Sequence, residues 1–214
     1  MVDAAFLRIV YFGTPEFAVP SLRTLIGSRH AVAAVISQPD RPKGRGHKLV
    51  ETPTKALAAS CGIPVMQPTK IRDEAFLGAI AALAPDLGVV AAYGRILPEA
   101  LLAIPRFGMI NVHASLLPKY RGAAPIHRAV IAGERETGIT IMRVVKELDA
   151  GAMIATARRA IGPDETSVEV DHDLAEIGAQ SPLGVVEQIA AGQAIETPQN
   201  DAEATYASKI LKEE

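Results

Sequence analysis

Residues 109–128, MINVHASLLPKYRGAAPIHR, decide how the rest of the chain is read. They open on a short apolar run, Met109-Ile110-Asn111-Val112-His113, and side chains alternate faces along a strand. Asn111 and His113 therefore point one way while Ile110 and Val112 point into packing. Leu116-Leu117-Pro118 then breaks the ladder, Arg121-Gly122 turns the chain, and Pro125, with its φ preset, can open a helix at its first position. A buried strand that ends in Asn-x-His and runs into a loop is a place for chemistry.

Working outward, the flanks alternate between strand and helix patterns. Residues 7–12 are apolar except for Arg8, as in a strand buried on both faces. A helix is expected over 17–26, a strand over 31–37, a long loop over 38–52 and a short helix opened by Thr52-Pro53. Val65-Met66 reads as a brief strand. Phe76, Ile80 and Leu83 have helical spacing, residues 87–92 form a further buried strand, and 98–104 a short helix. The β-branched stretch 139–145 can pair with 152–161. From 166 to 191 the pattern is helical, with a kink or break expected at Gly178 and Ser181-Pro182. Such alternation predicts a Rossmann-like, doubly wound α/β fold, a mostly parallel sheet with helices on both faces.

At 214 residues the chain can bury a full α/β core, about 70% of its unfolded surface. Apolar residues make up 49% and charged residues 21%, ordinary values for a globular domain. A formal net charge of −2 provides no global basic field, so any RNA contact must be local. One cysteine, Cys61, excludes a disulfide framework and suits a reducing cytosol. No apolar run approaches the ~20 residues of a membrane span, and the N-terminal stretch lacks the basic start of a signal peptide. A cytoplasmic, monomeric chain is expected.

The motifs that are missing narrow the chemistry. Gly13-Thr14-Pro15-Glu16-Phe17-Ala18 after the first strand is not a dinucleotide-binding turn: Pro15 and Glu16 sit where close, anion-welcoming backbone is required. No nucleophile elbow, phosphate loop or zinc-protease motif occurs. Asp171-His172-Asp173 resembles a metal cluster on paper, but adjacent residues on a helix diverge by about 100°. No metal and no redox cofactor are expected.

The polar constellation is Asn111, His113 and Asp149. Ligands of open α/β sheets bind beyond the carboxyl ends of strands. Asn111 and His113 end one strand; Asp149 lies just past another. If those strands are neighbours, the carboxylate reaches the imidazole, stabilises its protonated form and selects the nitrogen that faces a substrate. An Asn beside a protonated His is a pair of donors suited to the oxyanion of acyl transfer. With no activated Ser or Cys nearby, the nucleophile must come from a substrate. Spacing alone equally allows a hydrogen-bonded core histidine and a turn aspartate.

Asn111-Val112-His113-Ala114-Ser115-Leu116-Leu117-Pro118, followed by Tyr120-Arg121-Gly122-Ala123-Ala124-Pro125-Ile126, resembles the signature of the folate-dependent formyltransferases. Phe12 to Ala18, Gln38-Pro39-Asp40-Arg41-Pro42 with Gly44-Arg45-Gly46, Ala92-Tyr93-Gly94-Arg95-Ile96-Leu97-Pro98 and Glu136 to Ile141 resemble, in order, the branch of that family that formylates methionyl-tRNA. The resemblance implies 10-formyltetrahydrofolate as donor and the methionine α-amine of initiator Met-tRNA as nucleophile, attacking directly through an oxyanion intermediate. By the match, Asn111 and His113 hold the oxyanion, and Asp149 orients His113 and helps move the proton. Arg95, Ile96, Leu97, Ser115, Leu116, Leu117 and Pro118 correspond to the folate-holding segments, largely through backbone groups. The basic loop with Arg41, Lys43, Arg45 and Lys48 corresponds to the acceptor-arm contact.

Two departures accompany the match. The family usually places Gly-Asp after the catalytic turn, whereas Gly151 here precedes Ala152. Members of the tRNA branch also carry a C-terminal β-barrel. By the resemblance, residues 1–206 are the catalytic domain and 207–214 the start of a linker to a barrel absent from this chain. Rival readings are a formyltransferase of amino-sugar nucleotides, which residues 144–152 suit equally, and a folate- or RNA-binding remnant without turnover.

Overall fold

The computed structural model describes residues 6–43, 48–211 and 213. In chain order its elements are β1 (Arg8–Gly13), α1 (Val19–Ile26), β2 (Ala31–Ile36), β3 (Arg41–Lys43), β4 (Lys48–Val50), α2 (Pro53–Ser60), β5 (Val65–Met66), α3 (Glu74–Ala82), β6 (Leu87–Ala91), α4 (Glu99–Leu102), β7 (Met109–His113), β8 (Arg121–Gly122), α5 (Pro125–Ile131), β9 (Glu136–Arg143), β10 (Met153–Ala160), α6 (Ser167–Ala190) and β11 (Tyr206–Ala207). Among the described residues the main sheet has seven strands in the order β10-β9-β7-β6-β1-β2-β5. The strands from β7 through β5 run parallel, and β9 and β10 are added antiparallel. This is the expected Rossmann-like α/β sheet, with a mixed end.

Alternation along each strand supplies two cores, one per face. Ile9, Tyr11, Leu87, Val89, Ile110 and Val112 pack with Leu22 and Leu25 of α1 and with Val170, Leu174 and Val185 of α6. Val10, Phe12, Ala34, Ile36, Val90 and Met109 pack on the other face with Ile80 of α3 and Leu101 of α4. Fully burying one such aliphatic side chain stabilises the fold by roughly 1.5–3 kcal/mol. Arg8 is tolerated because it lies at the amino end of β1, where its guanidinium Nε donates to the Leu83 carbonyl at 3.0 Å.

Two expectations need correction. Residues 38–52 are not simply a long loop: Arg41↔Val50, Pro42↔Leu49 and Lys43↔Lys48 form an antiparallel ladder. Nor does the C-terminal helix break, since α6 is continuous over 24 residues with Pro182 inside it. Its capping box, with Thr166 and Glu169 bonded reciprocally, secures one end. Its buried stripe runs unbroken from Val170 through Gly178 and Pro182 to Ile189, and this long packed face outweighs the one hydrogen bond that proline removes.

Candidate active site

Asn111 and His113 lie on the face of β7 shared with Met109, opposite the face that buries Ile110 and Val112. The Asn111 amide is partly exposed, and its side chain has no hydrogen-bond partner among the described residues. His113 is buried, and its Nε2 lies 2.9 Å from the Tyr120 carbonyl. A carbonyl oxygen only accepts, so Nε2 carries hydrogen and donates. Nδ1 is thereby left to face Asp149, 3.7 Å from Oδ2. That is beyond a hydrogen bond. The Tyr120 carbonyl thus anchors the Nε2 side of the ring.

Strand polarity does not bring Asp149 to this place. Because β9 runs antiparallel to β7, its end lies beside the start of β7, where the Val144 amide donates to the Met109 carbonyl at 2.9 Å. The connection to β10 then folds back along the sheet until Asp149 Oδ2 accepts the Gly122 amide at 2.8 Å. Asp149 is held at φ 48°, a left-handed conformation unusual for a residue with a side chain. Gly151 is required by proximity, since a Cβ there would lie 1.9 Å from the Arg143 carbonyl oxygen. Ala152, the departure from the family pattern, serves the turn through its backbone, its carbonyl accepting the Arg143 amide at 2.9 Å.

The two segments matched to folate binding differ in how they are held. Thr140, fully buried on β9, donates to the Ser115 carbonyl at 2.7 Å and accepts the Leu117 amide at 3.2 Å. Ser115 Oγ donates to the Lys119 carbonyl at 2.6 Å. Leu117 is buried, while Leu116 and Pro118 are half-buried. In the second segment the Arg95 guanidinium donates to Gln38 Oε1 at 3.0 Å and to the Pro68 and Thr69 carbonyls at 3.2 and 2.9 Å. Leu97 is buried in the second core, and Ile96 is 77% exposed. The backbone amides of Gly94, Arg95, Ile96 and Leu97 have no partner among the described residues. A strip of unpaired amides beside an exposed apolar side chain fits a flat heterocycle with hydrogen-bonding edges.

The basic segment is organised as the β3–β4 pair. Asp40 at its base accepts from Lys55 Nζ at 2.5 Å and from Gln67 Nε2 at 2.7 Å. The lysine bond foremost, then the glutamine bond, hold the Asp40 carboxyl below its ordinary range. Arg41 is exposed and borders a cleft of about 600 Å³ shared with Thr14, Pro15, Tyr93 and Arg95. Lys43 and Lys48 pair across the hairpin through their backbones. Arg45 lies outside the described residues. No group of three or more metal-ligating side chains occurs among the described residues, and Asp173 is engaged by Arg159 at 2.5 Å.

Sequence reasoning gave no site role to Tyr120, Gly122, Thr140 or Gln199. Tyr120 stands at φ 60° and donates its hydroxyl to Glu134 at 2.8 Å; burial first, then that carboxylate, push its phenol up to about 12. Gly122 adopts φ 120°, and a Cβ there would meet the Ala207 oxygen at 2.7 Å. Gln199 Nε2 donates to the carbonyls of Asp149 and Gly151, each at 2.8 Å. Only the turn at Arg121-Gly122 left a signal in the sequence.

Residues 7–186 match the model of a protein family described as formyl transferase. The chain belongs to that family. It is 49% identical over 208 residues to the methionyl-tRNA formyltransferase of Methylococcus capsulatus, a match covering 97% of this chain and 68% of that protein. It is 50% identical over 208 residues to the methionyl-tRNA formyltransferase of Moorella thermoacetica, covering 97% of this chain and 67% of that one. Among solved structures, glycinamide ribonucleotide transformylase 1 from Symbiobacterium toebii superposes with a TM-score of 0.73 at 19% identity, over 91% of this chain and 95% of that one. Within the formyl transferases, this chain groups by sequence with the methionyl-tRNA branch.

Proposed function

We propose that this chain transfers the formyl group of 10-formyltetrahydrofolate to the methionine α-amine of initiator Met-tRNA, in translation initiation, with Asn111, His113 and Asp149 around the reacting carbon. Half-identity to proteins named for that reaction supports the substrate assignment and disfavours an amino-sugar acceptor. The observation that carries the site is the convergence of His113 and Asp149, from separate stretches, beside an Asn111 amide that is unpartnered among the described residues.

In this reading the amine lone pair attacks the formyl carbon and the carbonyl becomes an oxyanion. Asn111 Nδ2–H and, in the imidazolium form, His113 Nδ1–H donate to that oxygen. Asp149 takes the proton that the nitrogen sheds. As the oxyanion collapses, the bond from the formyl carbon to the folate nitrogen breaks, that nitrogen receives the proton held by Asp149, and N-formylated Met-tRNA and tetrahydrofolate leave. The amides of residues 94–97, unpaired among the described residues, exposed Ile96 and the Thr140-braced segment 115–118 hold the donor. Arg41, Lys43, Arg45 and Lys48 neutralise acceptor-arm phosphates. In the same reading the reaction is cytoplasmic and the protein acts as a monomer. No helix among the described residues is long and apolar enough to cross a membrane.

The test is incubation with formyl-labelled donor and either Met-tRNA or an amino-sugar nucleotide. Label on Met-tRNA is expected. Label on the sugar, or donor binding with no transfer at high enzyme, overturns the reading.

A further inference from the structure

We propose that Gln199 is a positioning residue that holds the Asp149 turn in register with His113; the inference rests on the reaction proposed above. Asp149 sits in a left-handed conformation that persists only when its surroundings over-determine it. One side chain binds the backbone on both sides of it. The Gln199 amide bridges Asp149 O and Gly151 O with both hydrogens, clamping the residues on either side of the turn. Its Oε1 is occupied in turn by Arg121, which donates from Nε at 3.0 Å and from Nη2 at 2.8 Å.

Arg121 is nearly fully buried, and its Nη2 also donates to Asp201 at 2.7 Å. It directly precedes Gly122, whose amide holds the Asp149 carboxylate. Backbone and carboxylate of Asp149 are therefore tied to one unit, residues 120–122, on which the His113 ring also rests through the Tyr120 carbonyl. The segment that carries Gln199 is itself laid along this unit. The Thr205 carbonyl accepts the Arg121 amide at 2.8 Å, Thr205 Oγ1 accepts the Tyr120 amide at 2.8 Å, and the Ala207 carbonyl accepts the Ala123 amide at 2.9 Å. The strap at 197–207, distant in sequence, is the far wall of the catalytic turn.

Gln199→Leu keeps the volume and removes both donors. In the full chain, kcat is expected to fall on the order of 10- to 100-fold, with KM for donor and Met-tRNA changed less than about twofold. In an Asp149→Asn background the same substitution should cost less than about twofold more, because its effect travels through that carboxylate. Amide hydrogen exchange supplies a readout that does not need turnover: the Gly122 amide should lose protection while the amides of β9 keep theirs. Gln199→Glu, which keeps an oxygen for Arg121 but sets a carboxylate against two carbonyls, should lose at least as much as Gln199→Leu. An unchanged Gly122 amide, or an equal rate loss in both backgrounds, overturns the role of Gln199. A parental rate for Asp149→Asn with a deprotected Gly122 amide in Gln199→Leu would instead overturn the catalytic reading and leave the positioning intact.

Discussion

The two ends of the sheet are built on different physics. From β7 to β5 the strands are parallel and held by continuous apolar runs buried on both faces, with polar groups spent on the backbone ladder. From β7 to β10 the strands are antiparallel, and the loops attached to them are held by a few polar contacts: Thr140 on 115–117, Tyr120 on His113, Gln199 on 149–151. The first end tolerates exchange of one hydrophobe for another of similar volume. The second does not, because a buried carbonyl or amide left without its partner has no substitute. The two constructions meet on β7, the strand that carries Asn111 and His113.

Substitutions at the two ends should therefore fail in different ways. The largest effect is expected at the polar end: Asp149→Asn should lower kcat by about 10²–10⁴-fold with a melting temperature close to the parent's, measured by formylation rate and calorimetry side by side. A matching loss of melting temperature would erase the distinction. At the parallel end, Leu22→Ala, at a fully buried position of α1, should destabilise by about 2–5 kcal/mol in denaturant titration while the folded fraction keeps its kcat.

Thr140→Val tests an intermediate position, a core strand residue whose hydroxyl serves the site. A loss of about 1–3 kcal/mol is expected, together with a raised KM for the folate donor as the 115–118 segment loosens; a stability loss with unchanged KM would move Thr140 to the scaffold side. The smallest effect concerns Asp40. Its folded-state pKa is lowered, so its bond to Lys55 contributes above the ordinary carboxylate pKa of about 3.9 and is lost as pH falls through the lower folded value. The gap in melting temperature between parent and Asp40→Asn should stay flat near neutrality and close below about pH 4.

Legibility in the sequence follows the same division. The strands at 8–13, 31–36 and 87–91 show because burial on both faces writes itself as uninterrupted apolar residues. Asn111 and His113 show because period-2 alternation puts two polar residues on one face of an otherwise apolar strand. The continuity of α6 through Pro182 was hidden, since local propensity cannot weigh a packed stripe nine buried residues long. The β3–β4 pairing was hidden too, because Arg-Pro-Lys carries none of the β-branched enrichment of a strand.

By itself the sequence determined the alternating α/β plan, the strand that carries Asn111 and His113, and the formyl-transferring family. Only the tertiary structure decided that β9 runs against β7 and β10 against β9, that the 144–152 connection brings the Asp149 carboxylate to the Gly122 amide, and that the Tyr120 carbonyl meets the His113 ring while Gln199 binds the 149–151 backbone. The reason is physical. Apolar burial is periodic and so is encoded locally, whereas a hydrogen bond between groups 50 residues apart, such as Gln199 to Asp149, leaves no pattern along the chain until the chain is folded.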